Sequence, residues 1–225
     1  MKLRHELKHY INLSDYLSIR SRLCHVAKHD KNANDNGEYK IRSVYFDNYN
    51  DKVLFEKIIG LNHRDKFRIR FYDDDDSFIK LEKKSKINGL CKKVSSPITK
   101  DECNKIFAGD IDFLRDSNNH LFNELYVRMN SDLWKPKTVV DYVREAYIYD
   151  AGNVRITFDK SVKTGLNCVD IFNSELPMND AIDSQFIILE VKYDDFLPEL
   201  ISDLIQVGNR SKTSISKYAM CRMNG

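Results

Sequence analysis

Alternation of apolar and polar residues dominates the chain. Period-2 segments at residues 2–11, 39–47, 66–72, 78–85, 138–149, 154–160, 167–172 and 186–193 predict eight β-strands, because successive strand side chains point to opposite faces. Between them the helical period predicts helices over 14–27, 52–59, 100–107 and 120–133. The first has Ser14 as its expected N-cap and Leu17, Ile19, Leu23 and Val26 as its stripe. Two further helices close the chain, 198–207 with Pro198 in its first turn and 215–220. Strands and helices do not alternate strictly, which predicts an α+β fold with mainly antiparallel strands rather than a doubly wound sheet. Eight strands suffice to close a barrel. No repeat, linker or composition shift divides the chain, so a single domain over 1–225 is expected, with loops at 29–37 and 73–76. The D-D-D-D run at 73–76 reads as a solvated hairpin turn.

The residues sharing each polar face are unusual. In K-F-R-I-R-F-Y, Arg68 and Arg70 share one face and Phe67, Ile69 and Phe71 the other. The same parity sets Glu82 and Lys84, with Lys80, against Ile79 and Leu81, and Glu6 and Lys8 against Leu7. It also groups Tyr142 with Arg144, Arg155 with Thr157, and Glu190 with Lys192. A half-exposed sheet with its charges in water is the usual reading of such strands. Here the opposite faces carry large apolar residues that the helices can cover. The charged face is also biased toward Arg and Lys, with Glu only at 6, 82 and 190, whereas a solvated face usually mixes both signs. Closing such strands with the charges inside gives a cationic tunnel. Arg suits bidentate phosphate contacts and Lys serves as a point charge, so the tunnel suits a ligand with several consecutive phosphates. Carboxylates among such cations are costly unless paired or holding Mg²⁺ or Mn²⁺ against phosphate oxygens.

Composition narrows the classes further. With 42% hydrophobic and 31% charged residues, and only 8 Gly and 4 Pro, the chain is neither disordered nor of low complexity. Its 36 Lys and Arg against 34 Asp and Glu leave a formal charge of +2, which does not mark a nucleic-acid-binding protein. No signal peptide and no apolar run of about 18 residues is read, so a cytoplasmic location is expected. The five cysteines are scattered, with no paired metal-binding spacing, and read as reduced thiols. The six histidines form no helical pair and read as structural or surface residues.

The strings H-E-L-K-H-Y, K-F-R-I-R-F-Y, K-L-E-K-K-S-K, D-Y-V-R-E-A-Y, V-R-I-T-F-D, I-L-E-V-K-Y and S-I-S-K-Y occur in order over residues 4–221. Together they resemble the polyphosphate polymerase domain of the vacuolar transporter chaperone (VTC) family, within the triphosphate tunnel metalloenzyme superfamily. The resemblance implies a closed antiparallel eight-stranded tunnel with peripheral helices, in which ATP gives its γ-phosphoryl group to a growing polyphosphate chain and leaves as ADP, with Mn²⁺ or Mg²⁺ required. It implies that Lys8, Arg68, Arg70, Lys84, Arg144, Arg155 and Lys217 hold phosphates, with Lys93 and Lys192 beside them. Tyr142 and Tyr218 are candidates for orienting the ligand, with core packing the favoured reading of each. Glu190 is the implied main metal ligand; Glu6 reads equally as a ligand or an ion-pair partner, and Glu82 as a partner of the cations. The C-terminal helix, carrying Lys217, is expected at one tunnel end, so a chain cut after Gly208 is expected to fold without synthesising polyphosphate. Hydrolytic members of the superfamily begin with E-x-E-x-K, whereas this chain has R-H-E-L-K, with Arg4 at the first carboxylate position. That departure favours transfer over hydrolysis. A tripolyphosphatase or nucleoside triphosphatase, and a non-catalytic module binding polyphosphate or inositol phosphates, remain the alternatives. Any coupling to transport requires a separate membrane partner.

Overall fold

The computed structural model describes residues 3–206 and 213–223. In chain order the elements are β1 (His5–Ile11), α1 (Leu13–Leu23), β2 (Lys28–His29), β3 (Glu38–Asp47), α2 (Lys52–Ile58), β4 (His63–Tyr72), β5 (Asp75–Ile87), β6 (Leu90–Ile98), α3 (Lys100–Ala108), α4 (Asp112–Arg115), α5 (His120–Ser131), β7 (Lys135–Tyr149), β8 (Val154–Thr164), β9 (Asn179–Asp180), β10 (Ile187–Tyr193), α6 (Glu199–Leu204) and α7 (Lys217–Met223). The long strands form one antiparallel sheet in the order β1-β10-β8-β7-β3-β4-β5-β6. Its two end strands approach each other: just before β1, Arg4 exchanges backbone hydrogen bonds of 3.1 and 3.0 Å with Cys91 on β6.

The expected fold class, an antiparallel α+β arrangement, is present, but one expected strand is not. Residues 167–172 form turns instead of a strand. Their apolar residues are drawn into packing: Ile171 is fully buried and the Phe172 ring stacks on Phe71 at 5.8 Å. The additional long strand is β6, which is not among the eight expected segments because its K-K-V-S-S-P run lacks apolar alternation. It forms because β5 supplies a continuous ladder from Ile79↔Ile98 to Ile87↔Leu90. Asn88 and Gly89 take positive φ at its tight turn, as do Asp73 and Asp74 between β4 and β5, which matches the left-handed backbone of two-residue hairpins. Helix α1 starts two residues earlier than a Ser14 cap implies. Asn12 is its cap, accepting from Asp15 N at 2.9 Å while the Asp15 carboxylate accepts from Asn12 N. Its buried stripe is Tyr16, Ile19 and Leu23, with Leu17 exposed. Helix α6 ends at Leu204; Val207 and Gly208 lie outside the described residues.

Much of the apolar packing lies on the helix-covered side of the sheet. Tyr16, Ile19 and Leu23 of α1 and Ile201 of α6 pack on Ile156 and Phe158 of β8 and Leu189 and Val191 of β10. Around the rest of the sheet, Phe67, Ile69 and Leu81 join Val53, Cys103, Ile106 and Leu125 from α2, α3 and α5. With these outward residues taken up by helices, the alternate charged residues face the concave side. Among the described residues, no helix is long and apolar enough to cross a membrane.

Candidate functional site

Cross-strand register places Glu6, Lys8, Lys66, Arg68, Arg70, Lys84, Lys93, Arg144, Arg155, Asp159, Glu190 and Lys192 on the concave face. They fall into three ionic groups. On β4–β6, Glu82 accepts from Arg68 Nη2 at 2.8 Å and Lys93 Nζ at 3.0 Å, with Arg70 Nε 3.3 Å away, while Arg68 Nη1 donates to Tyr45 Oη at 2.9 Å. On β1 and β10, Glu6 and Glu190 share two lysines. Lys8 Nζ lies 3.4 Å from Glu6 and 3.2 Å from Glu190, and Lys192 pairs with Glu190 and lies 3.9 Å from Glu6. Lys84 reaches Glu6 across the sheet at 2.7 Å. On β7 and β8, the fully buried Asp159 accepts from Arg144 at 2.6 and 2.8 Å and from Lys217. The Tyr142 ring lies under both cations, 5.3 Å from the Arg144 guanidinium and 4.5 Å from Lys217 Nζ.

The titration shifts follow from burial among many cations and few carboxylates. Burial alone would raise the Glu6 and Asp159 pKa values. Lys8, Lys84 and Lys192 around Glu6, and Arg144 and Lys217 around Asp159, hold each at about 2. Burial is likewise outweighed at Glu190, which is held well below the carboxylate range, and at Lys8, which its two glutamates push above the lysine range. Other cations are under-compensated. Burial and the neighbouring Arg68 and Arg144 lower Arg70 to about 10 despite Glu82. Burial, then Lys8, Arg64 and Lys84, push Lys66 well below its usual range; its ammonium donates to Ser216 Oγ at 2.8 Å, and no carboxylate pairs with it among the described residues. Two concave-face arginines also keep buried donors that make no hydrogen bond among the described residues, Arg155 Nε and Arg70 Nε, the latter approaching Glu82 without hydrogen-bond geometry.

The expected site residues are thus brought together with two qualifications. Arg155 stands at one end of the face, where its Nη2 donates to Asp30 at 2.5 Å and Tyr39 Oη at 2.7 Å. Tyr218 turns its hydroxyl to the buried Asp47 at 2.7 Å, and Asp47 also accepts from Val53 N and Leu54 N at the start of α2. The segment leading into α7 crosses the opposite end: Thr213 N donates to Lys8 O at 2.9 Å, and Lys8 Nζ to Ile215 O at 3.2 Å. Arg4 is turned to Asp194 at 2.9 Å and to Asn153 O. Sequence reasoning missed Asp159, Lys66 and Ser216. The signal for the first two was present, since Asp159 shares strand parity with Arg155 and Lys66 with Arg68.

Glu6 and Glu190, bracketing the same ammonium groups, form a two-carboxylate oxygen donor set. No group of three His, Cys, Asp or Glu residues suited to a metal occurs among the described residues. Two carboxylates fit a hard divalent cation that takes its other ligands from phosphate and water, and not an all-protein cage.

The chain belongs to the VTC domain family, whose model matches residues 3–223. This supports a tunnel protein that binds polyphosphate or triphosphate, acting as a phosphate-transferring or triphosphate-acting enzyme. No curated protein matches the chain. Among solved structures it is similar to "a putative adenylate cyclase (bh2851) from bacillus halodurans", at 11% identity and a TM-score of 0.50, covering 85% of this chain and 80% of that one. A second, the PH1012 protein from Pyrococcus horikoshii OT3, is 16% identical with a TM-score of 0.44, covering 90% and 85%. At these identities the first likeness is one of fold alone.

Proposed function

We propose that this protein is an ATP-dependent polyphosphate polymerase, moving the γ-phosphoryl group of ATP onto the end of an inorganic polyphosphate chain and releasing ADP. The observation that carries the reading is a face whose cations outnumber its carboxylates and on which two buried guanidinium donors make no hydrogen bond among the described residues, Arg155 Nε and Arg70 Nε, the latter ion-paired to Glu82 at 3.3 Å. Each unmade buried hydrogen bond costs about 1–3 kcal/mol, which a phosphate oxygen would recover. In this reading the sheet is a ring closed through Arg4 and Cys91, and the phosphates lie along its inside.

The chemistry then needs no side-chain nucleophile. A terminal oxygen of the acceptor chain attacks the γ-phosphorus, the bond from that phosphorus to the β–γ bridging oxygen breaks, and the bridging oxygen leaves on ADP. Arg68, Arg70 and Arg144, held in orientation by Glu82 and Asp159, neutralise the equatorial oxygens. Lys8, Lys84 and Lys192 do so beside the two glutamates. Glu190 and Glu6 would hold Mn²⁺ or Mg²⁺, which would supply neutralisation of phosphate charge. Arg4, committed to Asp194, leaves position 4 without a carboxylate to activate water, which favours transfer over hydrolysis.

The test is to incubate the protein with ATP and Mn²⁺ and resolve products by chain length on a gel. A ladder with ADP is expected. Orthophosphate without a ladder would make it a hydrolase, and unchanged ATP with polyanion binding a non-catalytic module. Glu190→Ala is expected to lose most synthesis while remaining folded; retained synthesis would remove Glu190 from the metal role.

A further inference from the structure

Outside the concave face, between α2, the end of α5 and the β4–β5 rim, lies a cavity of about 500 Å³. Lys52, Arg64, Lys86, Lys92, Arg128 and Trp134 line it. Among the described residues no ion pair reaches Lys52, Arg64, Lys86 or Lys92, whereas Arg128 is fixed by Asp132 at 2.8 Å and Asp65 at 3.4 Å. Two carboxylates, Glu56 and Asp65, also line it, with Asp65 engaged by Arg128 and by Lys83 at 3.2 Å, so the cations outnumber the carboxylates. Trp134 is 4% exposed, and its indole N–H makes no hydrogen bond among the described residues. Arg128 lies 5.7 Å over its ring, with Phe67 against it edge-on at 5.8 Å. A buried indole N–H ordinarily finds an acceptor, so an unmet donor in a cationic cavity points to an anionic oxygen.

The cavity is also continuous with the concave face. Arg64 pairs with Lys86 across β4 and β5 as Lys66 pairs with Lys84 one step inward, so all four share a face. Arg64 and Lys86 therefore stand at the rim, belonging to both surfaces.

We propose that this outer cavity is a second condensed-phosphate site, taking the part of a polyphosphate chain that passes over Arg64 and Lys86 out of the concave face, with Trp134 Nε1 donating to a phosphate oxygen. The source of the chain rests on the polymerase reading; the anion binding does not.

Trp134 is the sole tryptophan, so intrinsic fluorescence reports on the cavity directly. The full chain would be titrated, without divalent metal, with inorganic pyrophosphate and with long-chain polyphosphate. Both are expected to change the emission saturably, and the Lys86→Ser/Lys92→Ser variant is expected to bind pyrophosphate about tenfold more weakly or worse, two charge-assisted contacts being lost. Lys92→Ser alone, at an exposed position, gives the same direction if the double variant does not fold. Arg68→Ala/Arg70→Ala is expected to leave the pyrophosphate response intact and weaken the response to long chains. No saturable change, a response indifferent to the lysine substitutions, or a pyrophosphate response lost with Arg68 and Arg70 would each overturn the site. A protein that makes no polyphosphate from ATP yet shows the lysine-dependent response would refute the polymerase reading and leave this site standing.

Discussion

Replacing Asp159 by Asn tests whether the concave face is built to receive negative charge. Asp159 is fully buried, accepts two hydrogen bonds from Arg144 and pairs with Lys217. Its pKa is held at about 2 against an ordinary 3.8, which by linkage corresponds to roughly 2 kcal/mol of stability at neutral pH. The substitution costs more than that, because it leaves a buried guanidinium and a buried ammonium without their counter-charge. Breaking such a pair costs about 3–5 kcal/mol. For a chain of this length each kcal/mol shifts Tm by about 2–4 °C, so Asp159→Asn is expected to melt roughly 6–20 °C lower. The informative part is the rescue. Tripolyphosphate supplies the missing charge to Arg144 and Lys217, so at equal ligand concentration the variant is expected to gain more thermal stability than the wild type. Differential scanning calorimetry with and without ligand measures both. A variant melting within about 2 °C of wild type, or one that ligand stabilises no more than wild type, would refute the reasoning.

Tyr218→Phe removes one donor from the buried Asp47 and is expected to cost about 1–3 kcal/mol in denaturant unfolding with tripolyphosphate affinity unchanged; lost affinity at full stability would return Tyr218 to the ligand. Acid sensitivity follows from the depressed carboxylates. Glu6 and Asp159 have folded pKa values below their unfolded ones, so their stabilisation is complete above the ordinary carboxyl range and is lost as pH falls toward about 2. Unfolding free energies measured as pH is lowered from about 5 toward 2, the interval between the ordinary carboxyl range and the folded values, should fall with pH, and a flat profile would contradict the pairing. Arg68→Ala is expected to weaken tripolyphosphate binding in calorimetric titration and to leave Glu82 with Arg70 and Lys93; unchanged affinity would take Arg68 out of the site.

Much of the concave face was legible because a strand has a period of two. Once Arg68 and Arg70 were known to share a face with each other and not with Phe67 and Ile69, the same parity on other strands collected Glu6, Lys8, Glu82, Lys84, Arg144, Glu190 and Lys192. The failures had physical causes. Strand β6 was hidden because its concave-face residues, Lys93 and Ser95, and its outward Lys92 are polar together, so apolar alternation is absent. Residues 167–172 alternate as a strand does, but their apolar side chains pack as turns against Phe71 and the core. Ser14 looked like a cap, yet Asn12 and Asp15 form the reciprocal pair that starts α1.

The sequence by itself determined the strands' sidedness, the cationic character of one face and the family, since each depends on local order along the chain. Which carboxylate neutralises which cation was decided only by tertiary structure. Asp159 faces Arg144 from the next strand and Lys217 from a helix 58 residues later, and Lys66 meets Ser216 across 150 residues. Pairing energies depend on distance and burial in three dimensions, and strand periodicity carries neither. The same holds for Trp134: a single tryptophan is visible in any reading of the chain, but its unmet N–H in a cationic cavity exists only once α2, α5 and the β4–β5 rim are brought together.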